Sequence, residues 1–519
     1  MIFLPVICYA EIHYRFKYFF SFLIKNEPEI LFDAPHRIEP NSNLPILLFV
    51  KDAHLFPIEV ISVDLKLEND VQHFYYKFYF NTWVDNQFWD EIITINFSDK
   101  LSKLFGWLKI TATLYYSCNG KLLTCKIDNY KVSSKKPLNV FRSKYFLPRL
   151  LNSKSGDLHT HSNFTNDQVE FGATLKSAAI LSKSIGLDFF CATDHSYDLD
   201  DEQFNYLKND HNLFKWKSFL KEVKFINSSS NNFKIIYGEE LSCRNSDRNN
   251  VHLLLLNQSQ LLIGEGDSAE KWFRTNSKHN ITDAINLKNK NAIAIAAHPK
   301  ERAPFLQKIL LGRNNWKKKD FAINGLTGFQ ILNGIINNGF ENGKKDWIEE
   351  LLIGRKVFIY GGTDAHGNFN RYRQLNIPFF SIEESNKQLF GSMRTVIISS
   401  PLKVNNLITN LKSGNCVVTT GPLIIISKSS NNKLNIKINS NPEFGKIDNI
   451  KLFLGNIGSK KELLYFQQTF KLNKFNFDKT KINLPNSGKY YIRGELNTTS
   501  GIGLLSENIC LTNPIWFNY

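Results

Sequence analysis

Histidines and carboxylates with the spacing of metal ligands recur in the middle of this chain. His159 and His161 stand at positions i and i+2 of the segment Gly-Asp-Leu-His-Thr-His. In extended backbone at the end of a strand, residues i and i+2 point to the same side, so both imidazoles can reach one ion. This spacing predicts that the two histidines bind a common divalent metal.

Further motifs of the same character follow in order along the chain. They contain Asp194 and His195 (Thr-Asp-His), Glu239 and Glu240 (Gly-Glu-Glu), His298 (Ala-His-Pro), and Asp364 and His366 (Asp-Ala-His). Each of these follows a short apolar run, whereas His252 precedes one. A buried imidazole or carboxylate at a strand end needs something that offsets its desolvation, and a divalent metal does so. Mixed nitrogen and carboxylate ligands suit Zn, Mn or Fe better than Ca or Mg.

The elements that must position these residues are predicted as short strands alternating with helices. Apolar runs typical of strands lie at 187–191, 233–237, 292–296, 328–332 and 357–360. Helical spacing of apolar residues is found at 174–185 and 281–290. Polar residues that follow strands and precede helices form the active sites of βα-barrels. We therefore expect the motif residues to converge at one end of a βα-repeating domain.

The flanking regions predict a different architecture. Short runs rich in β-branched and aromatic residues lie at 46–50, 58–65, 110–116, 434–438, 450–454 and 490–492. With 519 residues, the chain is also too long for one ordinary core. We predict three domains: a β-rich, immunoglobulin-like sandwich at 1–150, an α/β domain with the metal site at 151–424, and a small β-rich, sandwich-like domain at 425–519.

Composition argues against several partners and compartments. The net charge of +16 comes from scattered lysines, with no zinc finger, RNA-recognition signature or long basic arm, so the sequence gives no strong evidence for a nucleic-acid partner. Seven cysteines without a C-x-x-C pair do not indicate a disulfide framework, which favours a reducing compartment. The apolar run at 2–10 is short and lacks a basic leader, and no other run approaches ~18 apolar residues. We expect a cytoplasmic protein without a signal peptide or membrane span.

Taken together and in order, the motifs resemble those of the PHP family, named for polymerase and histidinol phosphatase domains. The resemblance covers residues 157–366 and includes every element, from His-x-His to Asp-x-His. It implies a distorted (β/α)7 barrel that typically holds three metals in a cleft. The segments at 394–396 and 412–422 are similar to the branch of that family that contains the CehA/McbA-type hydrolases, in which extra β-domains are common.

The resemblance also implies a role for each motif residue. It assigns His159, His161 and Asp364 to a first metal, Glu240 to a bridge, His252 and His298 to a second metal, and His195 and His366 to a third. Asp167 stands six residues after His161, where the family often places a further ligand. Glu239 is the alternative bridge, although the Gly-x-Glu spacing favours Glu240. We predict two or three divalent ions, Zn, Mn or Fe, as the cofactor.

A metal cluster of this kind predicts hydrolysis. Clustered divalent ions lower the pKa of a bound water to roughly 7 and stabilise negative charge on substrate oxygens. We expect a metal-dependent hydrolase of a small-molecule ester, first a phosphoester, with Glu240, His195 and His298 as catalytic residues. One alternative is a carboxylester or carbamate hydrolase of the CehA type. The other is a non-catalytic scaffold that binds a glycan or a protein partner.

Supporting residues are predicted from their positions alone. Asp157 and Asp194 could orient ligand imidazoles as hydrogen-bond acceptors, or they could be turn residues at strand ends. Cations that closely follow the motifs could bind a phosphate, and we single out Arg244, Arg302 and Arg371. The alternative for each is an ordinary surface charge. The sequence identifies neither the acid that protonates a leaving group nor the oligomeric state.

Overall fold

The computed structural model describes residues 27–98, 101–129, 135–166, 172–264, 276–303, 308–309, 311–370, 376–377, 380–381, 388–399, 401–429, 432–471, 473–505 and 508–518. Of these residues, 44% lie in strands and 16% in helices. They form two compact units. The first contains the described parts of Met1–Lys144, Thr165–Gly186 and Ala365–Phe390. The second contains those of Tyr145–Phe164, Leu187–Asp364 and Gly391–Tyr519.

Strands dominate the secondary structure. In chain order they are β1 (Glu29–Asp33), β2 (Arg37–Ile38), β3 (Leu44–Lys51), β4 (Ile58–Glu68), β5 (His73–Val84), β6 (Phe88–Ile95), β7 (Gly106–Cys118), β8 (Lys121–Lys126), β9 (Leu138–Arg142), β10 (Ser153–His161), β11 (Phe189–Ala192), β12 (Asp201–Glu202), β13 (Asn205–Asn209), β14 (Lys234–Arg244), β15 (Asn250–Leu256), β16 (His279–Asn280), β17 (Ile293–Ala296), β18 (Gly328–Asn333), β19 (Phe358–Gly362), β20 (Ala365–His366), β21 (Asn376–Ile377), β22 (Phe380–Ser381), β23 (Arg394–Ile398), β24 (Cys416–Thr419), β25 (Leu423–Ser429), β26 (Lys433–Asn439), β27 (Ile447–Asn456), β28 (Leu463–Thr469), β29 (Asn476–Asn483), β30 (Lys489–Thr498), β31 (Asn508–Thr512) and β32 (Ile515–Asn518).

The described helices are fewer and mostly short. They are α1 (Leu175–Ile185), α2 (Ser196–Leu199), α3 (Phe214–Ser229), α4 (Ile281–Leu287), α5 (Lys318–Phe321), α6 (Asn338–Leu352) and α7 (Val404–Ser413). None of these helices is both long enough and apolar enough to cross a membrane.

In the first unit, two sheets share one hydrophobic core. One sheet has the order β1-β3-β6, and the other has the order β2-β9-β7-β4-β5 with β8 paired to β7. Burial alternates along β4 and β7, so one face of that sheet points inward, whereas β1 and β3 of the other sheet are buried along their whole length. Buried Ile46 and Leu48 of the first sheet belong to the same apolar cluster as Val63 and Leu114 of the second. The helix α1 also belongs to this unit.

In the second unit, one large sheet runs from the middle of the chain into the C-terminal strands. Its order is β19-β18-β17-β15-β14-β11-β10-β23-β24-β31-β30-β27-β28. The strands β10, β11 and β14 are parallel, and so are β17, β18 and β19. Between these groups, β15 runs antiparallel to both β14 and β17. A smaller sheet, β25-β26-β29, shares a hydrophobic core with β27 and β30.

The predicted fold class is wrong. We expected a multidomain α/β plus β protein in which a distorted (β/α)7 barrel lies between β-sandwich-like domains, but the described residues are mostly β, with large sheets, and do not show such a barrel. The reason lies in the links between strands. The strands β14 and β15 form an antiparallel hairpin, whereas a βα-barrel joins its parallel strands through helices. The helix α1, which follows β10 in sequence, belongs to the other unit. Apolar runs indicate strands, but they do not determine which strands pair.

Candidate metal centre

The two histidines of the His-Thr-His segment face the same side of β10. They lie at its C-terminal end, and both are buried. Their Nε2 atoms are 3.2 Å apart. The pairing of β10 with β11 is irregular between Asp157 and Thr160, just where the histidines begin. The two imidazoles are therefore placed as neighbours, as the i and i+2 spacing predicts.

Glu240 stands at the centre of the histidine cluster. Its side chain is 1% exposed and comes from β14, the second strand from β10 in the sheet. Its Oε2 atom lies 3.2 Å from Nε2 of His159, 3.3 Å from Nε2 of His161 and 3.2 Å from Nδ1 of His195. Three imidazole nitrogens from two different strand ends thus converge on one carboxylate oxygen.

The other oxygen of Glu240 faces a second set of imidazoles. Its Oε1 atom lies 2.7 Å from Nδ1 of His252 and 3.2 Å from Nε2 of His298. His252 comes from β15, and His298 follows β17. The backbone φ of His298 is +29°, which is uncommon for a residue with a side chain and is maintained only where the surroundings impose it. One carboxylate therefore separates two groups of histidines.

Asp364 completes the first of these groups. Its Oδ1 atom lies 3.2 Å from Nε2 of His159 and 3.1 Å from Nε2 of His161. Its backbone nitrogen donates a hydrogen bond of 2.8 Å to the carbonyl of His159. Gly362, at the end of β19, permits this approach, because a Cβ there would lie 2.6 Å from the backbone nitrogen of His159. The glycine is thus required for bringing the carboxylate to the histidines.

The arrangement offers two groups of possible ligands for divalent cations. One group of possible ligands is His159, His161, Glu240 and Asp364, and the other is Glu240, His252 and His298. Ligand atoms bound at about 2.0–2.1 Å to one ion lie about 2.9–3.4 Å apart in octahedral or tetrahedral geometry. The nitrogen–oxygen distances of the first group, 3.1–3.3 Å, lie in this range. Oε2 of Glu240 is also buried without a hydrogen-bond partner in the described part of the chain, as expected of an oxygen that binds a cation.

Gln330, in β18, fixes the orientation of His159 and was missed by the sequence analysis. Its Oε1 atom lies 2.8 Å from Nδ1 of His159, while its Nε2 atom donates to Oδ1 of Asn333 at 2.9 Å. Since the amide nitrogen is used by Asn333, the neutral imidazole donates from Nδ1 and keeps its lone pair on Nε2. That is the tautomer a metal ligand needs. The position of Gln330 near the end of the strand predicted at 328–332 could have identified it as a candidate site residue.

Asp157 binds backbone and hydroxyl groups, not an imidazole ring. Its carboxylate accepts hydrogen bonds from the backbone nitrogens of His159 (3.2 Å), Thr363 (3.0 Å) and Gly391 (2.9 Å). It also accepts one of 2.5 Å from the hydroxyl of Thr363. Burial raises the pKa of Asp157 to about 6, although these hydrogen bonds lower it. Asp157 lies within β10 and not in a turn, and these hydrogen bonds tie β10 to the segments around β19 and β23.

Asp194, which follows β11, also accepts hydrogen bonds from backbone and hydroxyl groups. Its two carboxylate oxygens accept hydrogen bonds from the backbone nitrogen and the hydroxyl of Ser162, at 2.7 and 2.8 Å. Ser162 directly follows His161 in the sequence. Asp194 therefore holds the segment that carries His161, and its neighbour His195 has its ring centroid 4.5 Å from that of His161.

Glu239 and Glu240 make contacts with different partners. Oε2 of Glu239 accepts a hydrogen bond of 2.7 Å from the hydroxyl of Ser196, and its Oε1 accepts one of 3.1 Å from the backbone nitrogen of Leu262. Burial raises the pKa of Glu239 to about 8, although these hydrogen bonds lower it. Of the two glutamates, Glu240 is therefore the one that contacts the histidines, as the Gly-x-Glu spacing favours.

The carboxylates and imidazoles of the cluster stabilise each other's charged forms. Burial lowers the pKa of His159 and His161, but the negative charges of Glu240 and Asp364 outweigh this and raise both pKa values to about 9. Burial raises the pKa of Glu240, but His252 and His159 outweigh this and hold it well below its usual range. A divalent cation would take the place of the protons on these nitrogens.

Some predicted ligands are not tested by this geometry. His366 is half-buried in β20, which belongs to the first unit, and its assignment to a third metal stays a prediction. Asp167 lies outside the described residues.

The structure describes the surroundings of two of the three arginines that were predicted to bind substrate. Arg302 is exposed and lines a cavity of about 1060 Å³. Arg244 is half-buried and lines another cavity, of about 560 Å³, together with Asp283 and Lys319. Arg371 lies outside the described residues. The role of each in substrate binding stays a prediction.

Comparisons with known proteins do not assign the chain to a family. No protein-family model matches the chain, and no curated protein matches it. Among solved structures, the chain is similar to the Parabacteroides merdae β-glucuronidase (TM-score 0.19, 10% identity, 95% of this chain and 65% of that chain). It is also similar to a Paenibacillus sp. cycloisomaltooligosaccharide glucanotransferase (0.17, 11%, 94% and 69%) and to an FMN-binding β-glucuronidase from Facaelibacterium prausnitzii L2-6 (0.16, 11%, 90% and 71%). The chain spans about two thirds of the length of the first of these, and TM-scores this low indicate neither a shared fold nor a shared activity.

Proposed function

We propose that the protein is a metal-dependent hydrolase that cleaves an ester bond, with phosphoesters as its first substrate class. One observation carries the proposal: the buried carboxylate of Glu240 lies between two groups of metal-type ligands. His159 and His161 are beside one oxygen, and His252 and His298 are beside the other. Two-metal sites suit displacement at phosphorus, because they stabilise both the attacking and the leaving oxygen. The kinship with the PHP family is part of the proposal and depends on the order of the motifs.

The residues of the chain determine how ions are held and where a substrate enters. When bound, divalent ions lower the pKa of a water molecule to about 7 and offset negative charge on the substrate. The side chains of His298 and Asp364 are 20% and 16% exposed, whereas those of His159 and Glu240 are 0% and 1% exposed. A substrate therefore reaches the cluster over His298 and Asp364. On the buried side, His159 is held by Gln330, which is itself buried.

Metal analysis combined with a substrate panel tests the proposal. Purified wild-type protein would be examined for bound metal and for hydrolysis of phosphomonoesters, phosphodiesters and carboxylesters. Glu240→Gln removes the shared negative charge, and Glu239→Gln is the matched control, because Glu239 contacts Ser196 and Leu262 instead. We expect metal binding and phosphoesterase activity in wild type and Glu239→Gln, and the loss of both in Glu240→Gln.

The outcomes separate the alternatives. Hydrolysis of carboxylesters alone would replace the phosphoester class with the carboxylester or carbamate class. Unchanged metal content and activity in Glu240→Gln would refute the proposed centre. Failure of the wild type to bind metal after incubation with Mn or Zn, together with no hydrolysis, would leave a non-catalytic binding protein.

Glycan binding by the first unit is a second candidate function with an observation of its own. Tyr75, Tyr79 and Trp83 are 70%, 70% and 64% exposed and lie at i, i+4 and i+8 on one face of β5. Lys77 stands between the tyrosines, with its Nζ atom 5.5 Å from the centre of the Tyr79 ring. A row of exposed aromatic side chains with polar groups marks a binding surface. Electrophoresis in polysaccharide-containing gels tests this: retardation of the wild type that is absent in Tyr79→Ala would support it, and equal mobility would remove it.

A further inference from the structure

We infer that the cavity lined by Lys300, Arg302 and Lys308, which begins two residues after His298 in the chain, binds an anionic, hydroxyl-rich part of the substrate that does not react. The inference rests on the proposed hydrolase function and names the class of its substrate. The cavity has a volume of about 1060 Å³. Its lining includes Lys300, Arg302, Lys308, Asn314, Asn338 and Asn342.

The wall of the cavity is connected to the segments that carry the second group of histidines, through the chain on one side and through a hydrogen bond on the other. The backbone nitrogen of Glu301 donates a hydrogen bond of 3.0 Å to the carbonyl of His298. On another side, the backbone nitrogen of Asn314 donates one of 3.0 Å to the carbonyl of Asn250. Asn250 lies two residues before His252 in β15. The cavity wall thus begins two residues after His298 in the chain, and a hydrogen bond joins it to the strand that carries His252.

Hydrogen bonds between side chains fix this wall relative to the metal ligands. Gln330, which orients His159, donates from Nε2 to Oδ1 of Asn333 at 2.9 Å. Asn333 in turn donates to Oε2 of Glu301 at 2.9 Å, and Asn337 donates to Oε1 of Glu301 at 3.3 Å. Glu301 lies between the cavity residues Lys300 and Arg302. A wall held in this way can position a substrate at a defined distance from the metal centre, as a specificity site requires.

The cavity has an excess of positive charge. Lys300 is paired, because its Nζ atom lies 2.7 Å from Oδ2 of Asp346 and donates to the carbonyl of Trp316 at 2.9 Å. Arg302 and Lys308 are exposed, and neither has a carboxylate within ion-pair distance among the described residues. The lining in the described part of the chain contains no acidic residue. Two cations are therefore available for a ligand.

The chemistry of the lining indicates the ligand class. Guanidinium and ammonium groups bind carboxylates and phosphates through charge-assisted hydrogen bonds. The carboxamides of Asn338 and Asn342 donate and accept, so they suit hydroxyl groups beside the anion. The preferred substrate is thus an ester whose non-reacting part carries a phosphate or carboxylate together with hydroxyls.

Binding of three probes to the purified full-length protein tests the inference. The probes are glucose 6-phosphate, gluconate and glucose, each titrated by calorimetry into wild type and variants. We expect at least one of the two anions to bind about tenfold more tightly than glucose, the effect of a gained charge-assisted hydrogen bond. Arg302→Gln and Lys308→Gln should each weaken anion binding about tenfold. Lys345→Gln removes an exposed lysine of α6 outside the cavity lining and should change nothing.

The results distinguish failure of the cavity assignment from failure of the hydrolase proposal. Equal affinity for all three probes, no binding of either anion, or anion binding unchanged by Arg302→Gln and Lys308→Gln would overturn the inference. Anion binding that is lost in Glu240→Gln and kept in Arg302→Gln would also overturn it, because the anion would then lie at the metal ligands. Anion binding sensitive to Arg302, without hydrolysis of any ester, would support the cavity assignment and remove only the proposed activity. The tighter of the two anions would tell whether phosphate or carboxylate is recognised.

Discussion

Nδ1 of His159 lies 2.8 Å from Oε1 of Gln330 in the interior of the second unit, where both side chains are fully buried. A buried donor that loses its acceptor bears the full cost of its desolvation. The contact therefore determines which imidazole nitrogen faces Glu240 and Asp364 and how firmly the ring is held. It makes Gln330 a positioning residue for the candidate metal centre, with no contact to a metal of its own.

Replacement of Gln330 by leucine should lower metal affinity about 10- to 100-fold, the usual effect of losing such a partner of a ligating histidine. The side chain keeps its approximate size but cannot accept the proton on Nδ1 of His159. Gln330→Glu retains an acceptor oxygen and should bind metal more tightly than Gln330→Leu. Competition with a chromophoric chelator for Zn measures the affinity of each purified variant.

Gln258 supplies the matched control for this substitution. It is also fully buried in the second unit, and its carboxamide donates to the carbonyl of Gln260 and accepts from the nitrogen of Asn289, both at 2.8 Å. Gln258→Leu should therefore reduce stability without changing metal affinity. Equal metal affinities for Gln330→Leu and wild type would show that the contact with His159 has no influence on the centre.

The division of the ligands by Glu240 predicts a partial loss of metal in a histidine variant. His252→Ala removes a nitrogen 2.7 Å from Oε1 of Glu240 but leaves the group of His159, His161 and Asp364 unchanged. We expect one ion fewer per chain by elemental analysis, with the remaining ion retained during dialysis. His211→Ala, at an exposed histidine outside the motifs, should retain the full metal content. Loss of all metal in His252→Ala would contradict two separable positions.

Much of the candidate site could be predicted because its signals are local. The i and i+2 spacing of His159 and His161 places their side chains on one side of any extended strand, whichever strands pair with it. The strand predicted at 328–332 is present as Gly328–Asn333, and that at 187–191 is present as Phe189–Ala192. Strand ends and the residues that follow them could therefore be located without knowledge of the fold.

The architecture could not be predicted because it depends on pairing between distant segments. The strand expected to end at residue 237 continues to Arg244, since residues 238–244 pair with β15 in a hairpin. The sequence contains apolar runs for both strands but nothing that fixes their mutual direction. Gln330 was missed for the same reason, because its partner His159 is 171 residues away in the chain. Gly362 has a role only because β10 approaches it.

Backbone strain at Asp364 predicts a difference between two substitutions. Its φ is +57°, in the left-handed region that glycine adopts readily and other residues adopt at a cost of roughly 1–2 kcal/mol. Asp364→Gly and Asp364→Ala both remove the carboxylate, yet the metal-free glycine variant should have the larger free energy of unfolding, by about 1 kcal/mol. Urea unfolding of both chelator-treated proteins measures this.

Asp194 is the control for this prediction, because glycine should have the opposite effect there. It is also an aspartate that follows a strand, but it is fully buried and its φ is not positive. Asp194→Gly should therefore be less stable than Asp194→Ala, by about 0.5–1 kcal/mol. If glycine and alanine at position 364 gave the same stability, the left-handed backbone would carry no strain there.

A buried ion-pair network in the C-terminal part of the second unit predicts a dependence of stability on pH. The guanidinium of Arg493 lies 2.6 Å from Oε2 of Glu462 and 2.5 Å from Oε1 of Glu495. Burial raises the pKa of Glu495, but Arg493 outweighs this and holds the pKa below its ordinary value of 4.5. The pair therefore contributes its full stability above about pH 4.5, and the contribution is lost as the pH falls through the lower pKa of the folded state.

The variant Glu495→Gln should isolate this contribution. At pH 7 we expect it to reduce the free energy of unfolding by about 1.5–3 kcal/mol, the range for a hydrogen bond to a charged group. The difference from wild type should shrink as the pH is lowered below about 4.5, because the carboxylate is then protonated in the unfolded chain and, as the pH falls through its lower pKa, in the folded protein as well. Glu341→Gln is the control, since Glu341 is 58% exposed in its pair with Lys344 and such pairs contribute about 0–1 kcal/mol. Urea unfolding of the three proteins at several pH values between 3 and 7 measures these differences. A difference between wild type and Glu495→Gln that stays constant across this range would show that the charge of Glu495 does not stabilise the fold.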